Sequence, residues 1–363
     1  YVGFVIINIE VIEIIIDGVF GTHRYLAHFI SPNLYSFLIA TFEILAFLVL
    51  FSCLIFLIRR NILKIKRFFG KEMTKWPKTD ANLILIFEVF LMSAFLLMNA
   101  ADQVLQSKDV SHYLHAGSFP ISSLLLVLID GFSVETLILI ERVSWWFHIL
   151  GILGFLNYVL ISKHLHIFFA FPSTYYANIN KLGKIDNLSS VTKEVKLMLD
   201  PNADPFANSD SSENLPPSLF GARDATDLNW VQLLNAYSCT ECGRCSSVCP
   251  ANQTGKLLSP RKVMMDTRDR IEDIGNNKNT DKFLLGDYIS NEELWACTTC
   301  NACTDACPIN LDPMSIIVDL RRYLVMEQSS APAELNNMFS NIENNGAPWQ
   351  FPAADRLNWI EEQ

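Results

Sequence analysis

The sequence predicts an all-α chain in two parts, a four-span membrane helix bundle followed by a helical domain outside the bilayer. Three observations predict it. Long apolar tracts fill the first half of the 363 residues. Eight of the nine cysteines fall in the second half, in two copies of one pattern. Helix-start signals such as Ser259-Pro260, rather than alternating strand patterns, lie between those copies.

Residues 1–20, 35–58 and 82–104 are each apolar and long enough to cross a bilayer. The chain opens at Tyr1 already apolar, so a short N-terminal piece, and with it another helix, is expected ahead of it. The tract 119–161 is broken at Asp130-Gly131 and again at Glu141-Arg142. We read 141–162 as the fourth span, with Trp145 and Trp146 as an interfacial belt at its start. The preceding 119–140 then forms an interfacial segment opened by Pro120, with Asp130 and Glu141 capping interfacial helices. A fifth span there is the competing reading, and it would invert the last helix.

Charge decides between the two. Arg59, Arg60, Lys64, Lys66, Arg67, Lys71, Lys75 and Lys78 mark the loop between the second and third spans as cytoplasmic. With four spans, 105–118 lies outside and Lys163 inside, so the second half is cytoplasmic. The expected location is a multi-pass cytoplasmic-membrane protein.

The two cysteine runs are Cys239, Cys242, Cys245, Cys249-Pro250 and Cys297, Cys300, Cys303, Cys307-Pro308. Twin Cys-x-x-Cys-x-x-Cys-x-x-x-Cys-Pro runs are the arrangement for two [4Fe–4S] clusters, in which the fourth cysteine reaches across to the other cluster. Cys239, Cys242, Cys245 and Cys307 form one expected set, and Cys297, Cys300, Cys303 and Cys249 the other. Zinc is the rival, but its sites show separated Cys-x-x-Cys pairs, often with histidine. A reducing compartment suits these thiols. Cys53, in an apolar run, is expected to be a buried, inert thiol.

Residues 1–170 balance 12 basic against 12 acidic side chains, whereas 171–363 carry 16 against 26. An acidic second half offers no basic face for nucleic acid. From 174 to about 222 the composition turns to Asn, Asp, Ser and Pro, reading as a linker or partner-binding segment. The expected organisation is a membrane bundle at 1–172, that segment at 173–222, a ferredoxin domain at 223–330 and a tail at 331–363. Forty-seven residues separate Cys249 from Cys297, too many for a compact β-hairpin ferredoxin, which favours an α-helical module.

The stretches SPRKVMMDTRDR (259–270), CTTCNACTDACPI (297–309) and MSIIVDLRRYLV (314–325) resemble the α-helical ferredoxin found in the C-type subunit of heterodisulfide reductase. WWFHILGILGFLNYVLISKHLHIFFAFP (145–172) resembles the cytochrome b-like membrane domain of nitrate reductase gamma subunits. The combination resembles heterodisulfide reductase-related membrane iron–sulfur oxidoreductases, some of which link electron-transfer flavoprotein to quinone. It lacks the cysteine-rich CCG domains such proteins usually carry. The resemblance implies a CCG-domain iron–sulfur protein as a separate partner, with electron-transfer flavoprotein or another flavoprotein upstream.

It also implies b haem. His148 and His166 lie eighteen residues apart, five helical turns, so both would face one side. His23 could face His148 across the bundle, which allows one outer haem b. Structural hydrogen bonding or quinone contact is the alternative for both. An inner interfacial or quinone-contact role suits His164 and His166 better than haem ligation. Glu10, Glu13 and Asp17 share one helix face, and Glu43 and Glu88 lie inside the second and third spans. Ionisable groups there are costly, so a proton path to or from quinone is expected, against pairing with a neighbouring subunit.

The expected function is electron exchange between a cytoplasmic redox partner and membrane quinone, as a subunit of a quinone-linked oxidoreductase. A structural or energy-coupling subunit with redox-sensing clusters is the rival. No glycine-rich dinucleotide loop occurs in the sequence, so NADH or flavin would bind elsewhere.

Overall fold

A computed structural model of the chain describes residues 2–74, 76–201, 219–351 and 353–361. Among the described residues every regular element is helical. The core of the Asn/Asp/Ser/Pro-rich stretch, 202–218, lies outside them. The chain divides into two compact units, Tyr1–Leu165 and His166–Gln363. That division falls ahead of the boundary expected at 172, because the helix opening at His166 packs on helices of the second unit.

The first unit is built from α1 (Val2–Phe20), α2 (Pro32–Asn61), α3 (Trp76–Ser107), a 3₁₀ turn (Ser122–Leu125) running into α4 (Leu126–Ile129), and α5 (Val134–Val159). By length and composition α2, α3 and α5 can cross a membrane. Pro32 sits in the first turn of α2, where its missing N–H costs nothing. The segment 122–129 is about 12 Å long as helix, too short to span. The fifth-span reading is therefore not supported, and four long helices remain.

The last of these begins at Val134, not at 141. Ser133 caps it, its hydroxyl accepting from Thr136 N at 3.3 Å, so Glu141 caps no helix, while Asp130 stands at the C-terminal cap of α4. Glu141 lies two turns inside α5, buried, and accepts from the Tyr113 hydroxyl at 3.1 Å. Trp145 and Trp146 consequently fall in mid-helix, where Trp145 packs over Gly18 instead of forming an interfacial belt. Sequence punctuation misplaced the start because a Ser cap following Gly-Phe outweighs an internal Glu-Arg pair. Cys53 is buried, as a small apolar filler.

The second unit comprises α6 (His166–Tyr175), α7 (Ser189–Leu199), α8 (Trp230–Ser238), α9 (Arg244–Val248), α10 (Pro250–Gln253), α11 (Pro260–Gly275), α12 (Asn291–Trp295), α13 (Ala302–Asp305), α14 (Pro313–Arg322) and α15 (Ala333–Asn345). Its core joins Leu258, Val263, Met264, Leu284, Ile289, Leu294, Ile316, Ile317 and Leu320. These come from α11, α12, α14 and the joining loops, so the 47-residue insert supplies much of the core. Capping is deliberate: Asn229–Gln232 and Ser290–Glu293 are reciprocal capping boxes, and Ser259, before Pro260, caps α11. The expected linker is partly structured. It contains α7, and its 178–188 portion is held by Asn310 on the Asn178 carbonyl (3.0 Å) and by Arg322 on that of Asp186.

A buried ion pair staples the insert. Asp224 accepts from Arg270 Nε and Nη2 at 2.8 and 2.7 Å, from Ala225 N at 2.9 Å and from Leu284 N at 3.0 Å. Burial alone would raise the Asp224 carboxyl, but these hydrogen bonds hold it below the usual carboxylate range.

Candidate functional site

The two cysteine runs fold as copies of one loop. Each begins where a helix ends, at Ser238 of α8 and just after Trp295 of α12. Two residues on, Glu241 and Thr299 take left-handed backbone conformations, with φ of 57° and 54°. Gly243 and Asn301 follow with φ of 74° and 60°, each opening the next short helix. The turn aims backbone donors at sulfur: Glu241 N lies 3.4 Å from Cys239 Sγ, and Thr299 N lies 3.4 Å from Cys297 Sγ. A non-glycine residue in this region costs about 1–2 kcal/mol. Two copies of that strain at equivalent positions point to a shared task.

That task is visible in a cavity of about 210 Å³ lined by Cys239, Cys242, Cys245, Cys303 and Cys307, together with His166, Arg261 and Met264. Cys307, the last cysteine of the second run, thus lines the same cavity as the first three of the first run. Cys249, the last of the first run, lies close enough to Cys297 for one thiolate to disfavour the other. Cys303 lines that cavity as well, so the fold brings cysteines of the two runs together, as crossed ligation in a two-cluster ferredoxin would require. Among the described residues no three His, Cys, Asp or Glu side chains converge on a single-ion point. Sulfurs spread around a roomy cavity fit a polynuclear cube better than one tetrahedral zinc, whose four donors would sit about 2.3 Å from one point.

Burial pushes the Cys239, Cys245 and Cys303 thiols up to about 12. Such thiols deprotonate only when metal takes the proton's place, so loading the site releases protons. Positive charge compensates. Arg261 is buried beside the first cavity, and Arg268 Nη1 bonds Glu241 at 2.9 Å behind the first loop. Arg321 donates to the Leu294 carbonyl and, at 2.5 Å, to that of Cys297, with its guanidinium 4.9 Å over the Trp295 ring. The surroundings of the two sets differ: Cys239 of the first is buried, whereas Cys300 of the second is exposed.

In the first unit, a polar network fills the end opposite the basic 59–78 loop. Asp102 accepts from His23 Nε2 (2.9 Å), Arg24 Nε (3.0 Å) and Nη2 (2.7 Å), and Gln106 (3.2 Å). Arg24 Nη2 also donates to Asn99 Oδ1 at 3.0 Å, and Asn99 in turn donates to Glu43 at 3.1 Å. The other Glu43 oxygen accepts from Ile121 N and Ser122 N at 2.9 and 3.1 Å. Glu43 therefore anchors the N-terminus of the 122–129 helical segment, where an anion is favoured. Glu13 holds Leu26 N and the Tyr35 hydroxyl, and Asp17 holds Arg24 N and Tyr25 N. Glu10 lines a cavity of about 50 Å³ with Glu13, His23, Asp102 and Glu141, room for one or two water molecules. Glu88 is half-buried, without a hydrogen bond or ion pair to any other described residue.

The expected haem pair does not fit this arrangement. His23 Nε2 faces Asp102, and its Nδ1 accepts from Leu114 N at 3.2 Å, so no lone pair is left for iron. His148 is buried, with Nδ1 3.1 Å from the Leu91 carbonyl, beside the Phe95 ring. His164 lies edge-on to Phe155, while His166 lines the cysteine cavity.

At the other end of the first unit, Asp80 is fully buried and binds the Tyr158 hydroxyl (2.5 Å), the Ser162 hydroxyl (2.7 Å) and Lys163 N (3.1 Å), tying α3 to the end of α5. Sequence reasoning missed Asp80, Asn99 and Asp102. Asp102 carried a signal, a carboxylate within an apolar tract. Nothing in the loop GTHRY marked Arg24 as its partner.

Fold and cysteine geometry together define a helical iron–sulfur domain attached to an apolar helix bundle, and residues 235–311 match the 4Fe-4S dicluster domain family. Three relatives sharpen this. A probable iron-sulfur-binding oxidoreductase of Bacillus subtilis, FadF, is 28% identical over 398 aligned positions, covering 100% of this chain and 51% of its own length. The EtfAB:quinone oxidoreductase of Syntrophomonas wolfei is 27% identical, over 83% of this chain and 43% of its own. A probable membrane-anchored ferredoxin of Chromohalobacter salexigens is 30% identical, over 39% of this chain and 24% of its own. The C-type and D-type subunits of heterodisulfide reductases are further relatives. The chain spans about half the length of the first two relatives. No solved structure matches it. It is an iron–sulfur electron-transfer protein whose apolar helices and membrane-anchored relative support membrane association.

Proposed function

We propose that this chain exchanges electrons between a soluble redox partner and membrane quinone. The observation that carries the reading is the pair of cysteine loops of one backbone form, with cysteines of both runs lining one cavity, on a domain covalently continuous with three apolar helices. Cys239, Cys242, Cys245 and Cys307 would hold one [4Fe–4S] cluster, and Cys297, Cys300, Cys303 and Cys249 the other. When bound, such clusters supply one-electron transfer at potentials set by their surroundings. The residues of the chain do the rest. Glu241 N and Thr299 N donate to sulfur, Arg261 and Arg321 offset anionic charge, and the helices α11 and α14 keep the loops fixed.

The basic 59–78 loop supports a cytoplasmic placement of the second unit. For the soluble partner, the resemblance to heterodisulfide reductase-related proteins and the EtfAB:quinone relative favour a CCG-domain iron–sulfur protein receiving electrons from electron-transfer flavoprotein. Of the intramembrane acids, Glu88 is the one we assign to proton exchange, since Glu43 is committed to the Ile121 and Ser122 amides. The engagement of His23 by Asp102 and Leu114 N argues against it as a haem ligand.

The test is EPR and iron analysis of the purified full chain, with quinone reduction followed in parallel. Two clusters per chain and reductant-dependent quinone turnover are expected. Zinc at the eight thiols, or two clusters without quinone turnover under any partner, would overturn the reading.

A further inference from the structure

Helix α6 is two-faced. One face is spent inside the second unit: Ser173 Oγ donates to Asn235 Oδ1 at 2.9 Å, and the Phe169 ring meets Tyr237 edge-on at 6.0 Å. Tyr176, just beyond the helix, packs on Trp230 at 4.6 Å. The other face carries Ile167, Phe168, Phe171 and Tyr175, which are 47, 57, 65 and 75% exposed. Their spacing of i, i+3 or i+4, and i+7 makes a single stripe. Scattered exposed apolar residues need no explanation, but a contiguous aromatic stripe does. The apolar exposure continues on both sides, at Leu160 and Ile161 before the helix and at Ile179 and Leu182 after it.

Charge narrows the choice of what covers this stripe. Residues 160–185 hold three lysines, Lys163, Lys181 and Lys184, and no acid. The rest of the chain, 186–363, carries 14 basic side chains against 26 acidic, net −12. Within an acidic unit, the aromatic stripe thus lies on a stretch that carries lysines and no acid. Position agrees: His166 follows the end of α5 at Val159 by seven residues, at most about 25 Å of extended chain. An aromatic stripe flanked by lysines, tethered that closely to a span, has the make-up of a helix lying in the bilayer interface.

We infer that α6 and the following residues to 185 lie on an anionic bilayer surface. Ile167, Phe168, Phe171 and Tyr175 seat below the headgroups, and Lys181 and Lys184 lie among them. Because His166 opens the same helix and lines the first cysteine cavity, this docking brings that cavity close to the membrane surface. The inference rests on reading Val134–Val159 as a span.

The test uses the full chain in vesicles of phosphatidylethanolamine and phosphatidylglycerol. p-Benzoylphenylalanine replaces Phe168, Phe171, Tyr175, Phe169 or, as a span control, the exposed Leu153 of α5. After irradiation, mass spectrometry should find lipid adducts at 168, 171, 175 and 153, with yield at 169 at least fivefold lower. Adducts to protein at the stripe positions, or no adducts there while 153 gives lipid, would overturn the inference. Equal lipid yield at 169 would also overturn it. Loss of the lipid adduct at 153 would instead remove the span on which it stands, and the cluster spectra of each variant report separately on the electron-transfer reading.

Discussion

Replacing Asp224 by Asn tests whether the insert between the cysteine runs is held by charge. The wild-type carboxylate accepts four hydrogen bonds, two of them a bidentate pair from Arg270, whose side chain is 4% exposed. Asn keeps the shape but removes the charge and one acceptor, leaving a buried guanidinium uncompensated. Breaking one side of such a pair costs about 3–5 kcal/mol. At roughly 2–4 °C per kcal/mol for a unit of this size, the midpoint should fall by roughly 6–20 °C. The assay is thermal loss of helical circular dichroism, for the full chain in detergent. The pH dependence is a second check. The native Asp224 carboxyl binds its proton more weakly than the unfolded one, so its contribution is fully present above the ordinary carboxylate pKa of about 3.9. It is lost as pH falls through the lower native value. Wild type should therefore lose stability below about pH 4 more steeply than the Asn variant. A midpoint within 2 °C of wild type, or parallel pH profiles, would refute the staple. The pair Asp224→Leu with Arg270→Met should recover much of the loss.

Five further outcomes are expected. Cys242→Ser should halve the reduced-cluster spin count by quantitative EPR and stop quinone reduction, while the protein still partitions into membranes. Glu88→Gln should slow quinone turnover without changing the cluster spectra, whereas Glu43→Gln should lower thermal stability by about 1–3 kcal/mol through its lost charged hydrogen bonds. Gly221→Ala should destabilise the second unit by about 3 kcal/mol, seen as a lowered unfolding midpoint. Gly221 has φ of 83°, and an added Cβ would collide with the Asp319 carbonyl and the Tyr323 amide. A water-soluble paramagnetic relaxer should shorten the relaxation of one cluster signal much more than the other, since Cys300 is exposed and Cys239 buried.

The two cysteine loops were legible because ligand spacing is local: a two-residue gap fixes where the next sulfur can go, whatever surrounds it. The all-helical insert was legible from Ser259-Pro260 and the 47-residue gap. What the sequence hid was long-range. Arg24 reaches Asp102 across 78 positions, and Glu43 reaches the amides of Ile121 and Ser122 across a similar distance. No periodicity encodes such pairings, so Glu43 read as a proton carrier when it anchors a helix. The start of α5 was misplaced for a related reason. Glu141 and Arg142 looked like a boundary, but inside the bundle Glu141 meets Tyr113 and Arg142 contacts His112. Polar residues in an apolar tract mark an end only when nothing across the bundle answers them.

Buried charge in this chain is divided between two kinds of work. In the first unit, acids that could have carried protons mostly hold backbone amides: Glu13 and Asp17 fix the 21–28 loop, Glu43 fixes the 122–129 segment, and Asp80 fixes the turn at Lys163. Each supplies a backbone donor with the acceptor that the apolar surroundings would otherwise deny it. Glu88 and Glu10 are the exceptions, one in mid-helix without a hydrogen bond or ion pair among the described residues and the other on a water-sized cavity. In the second unit the balance reverses. There the buried Arg261 and the half-buried Arg321 stand beside thiols that burial keeps protonated, and their charge would favour the thiolates that a metal needs. Most acids of the bundle thus meet their partners within it, whereas Arg261 and Arg321 stand where thiolates holding a cluster would place negative charge.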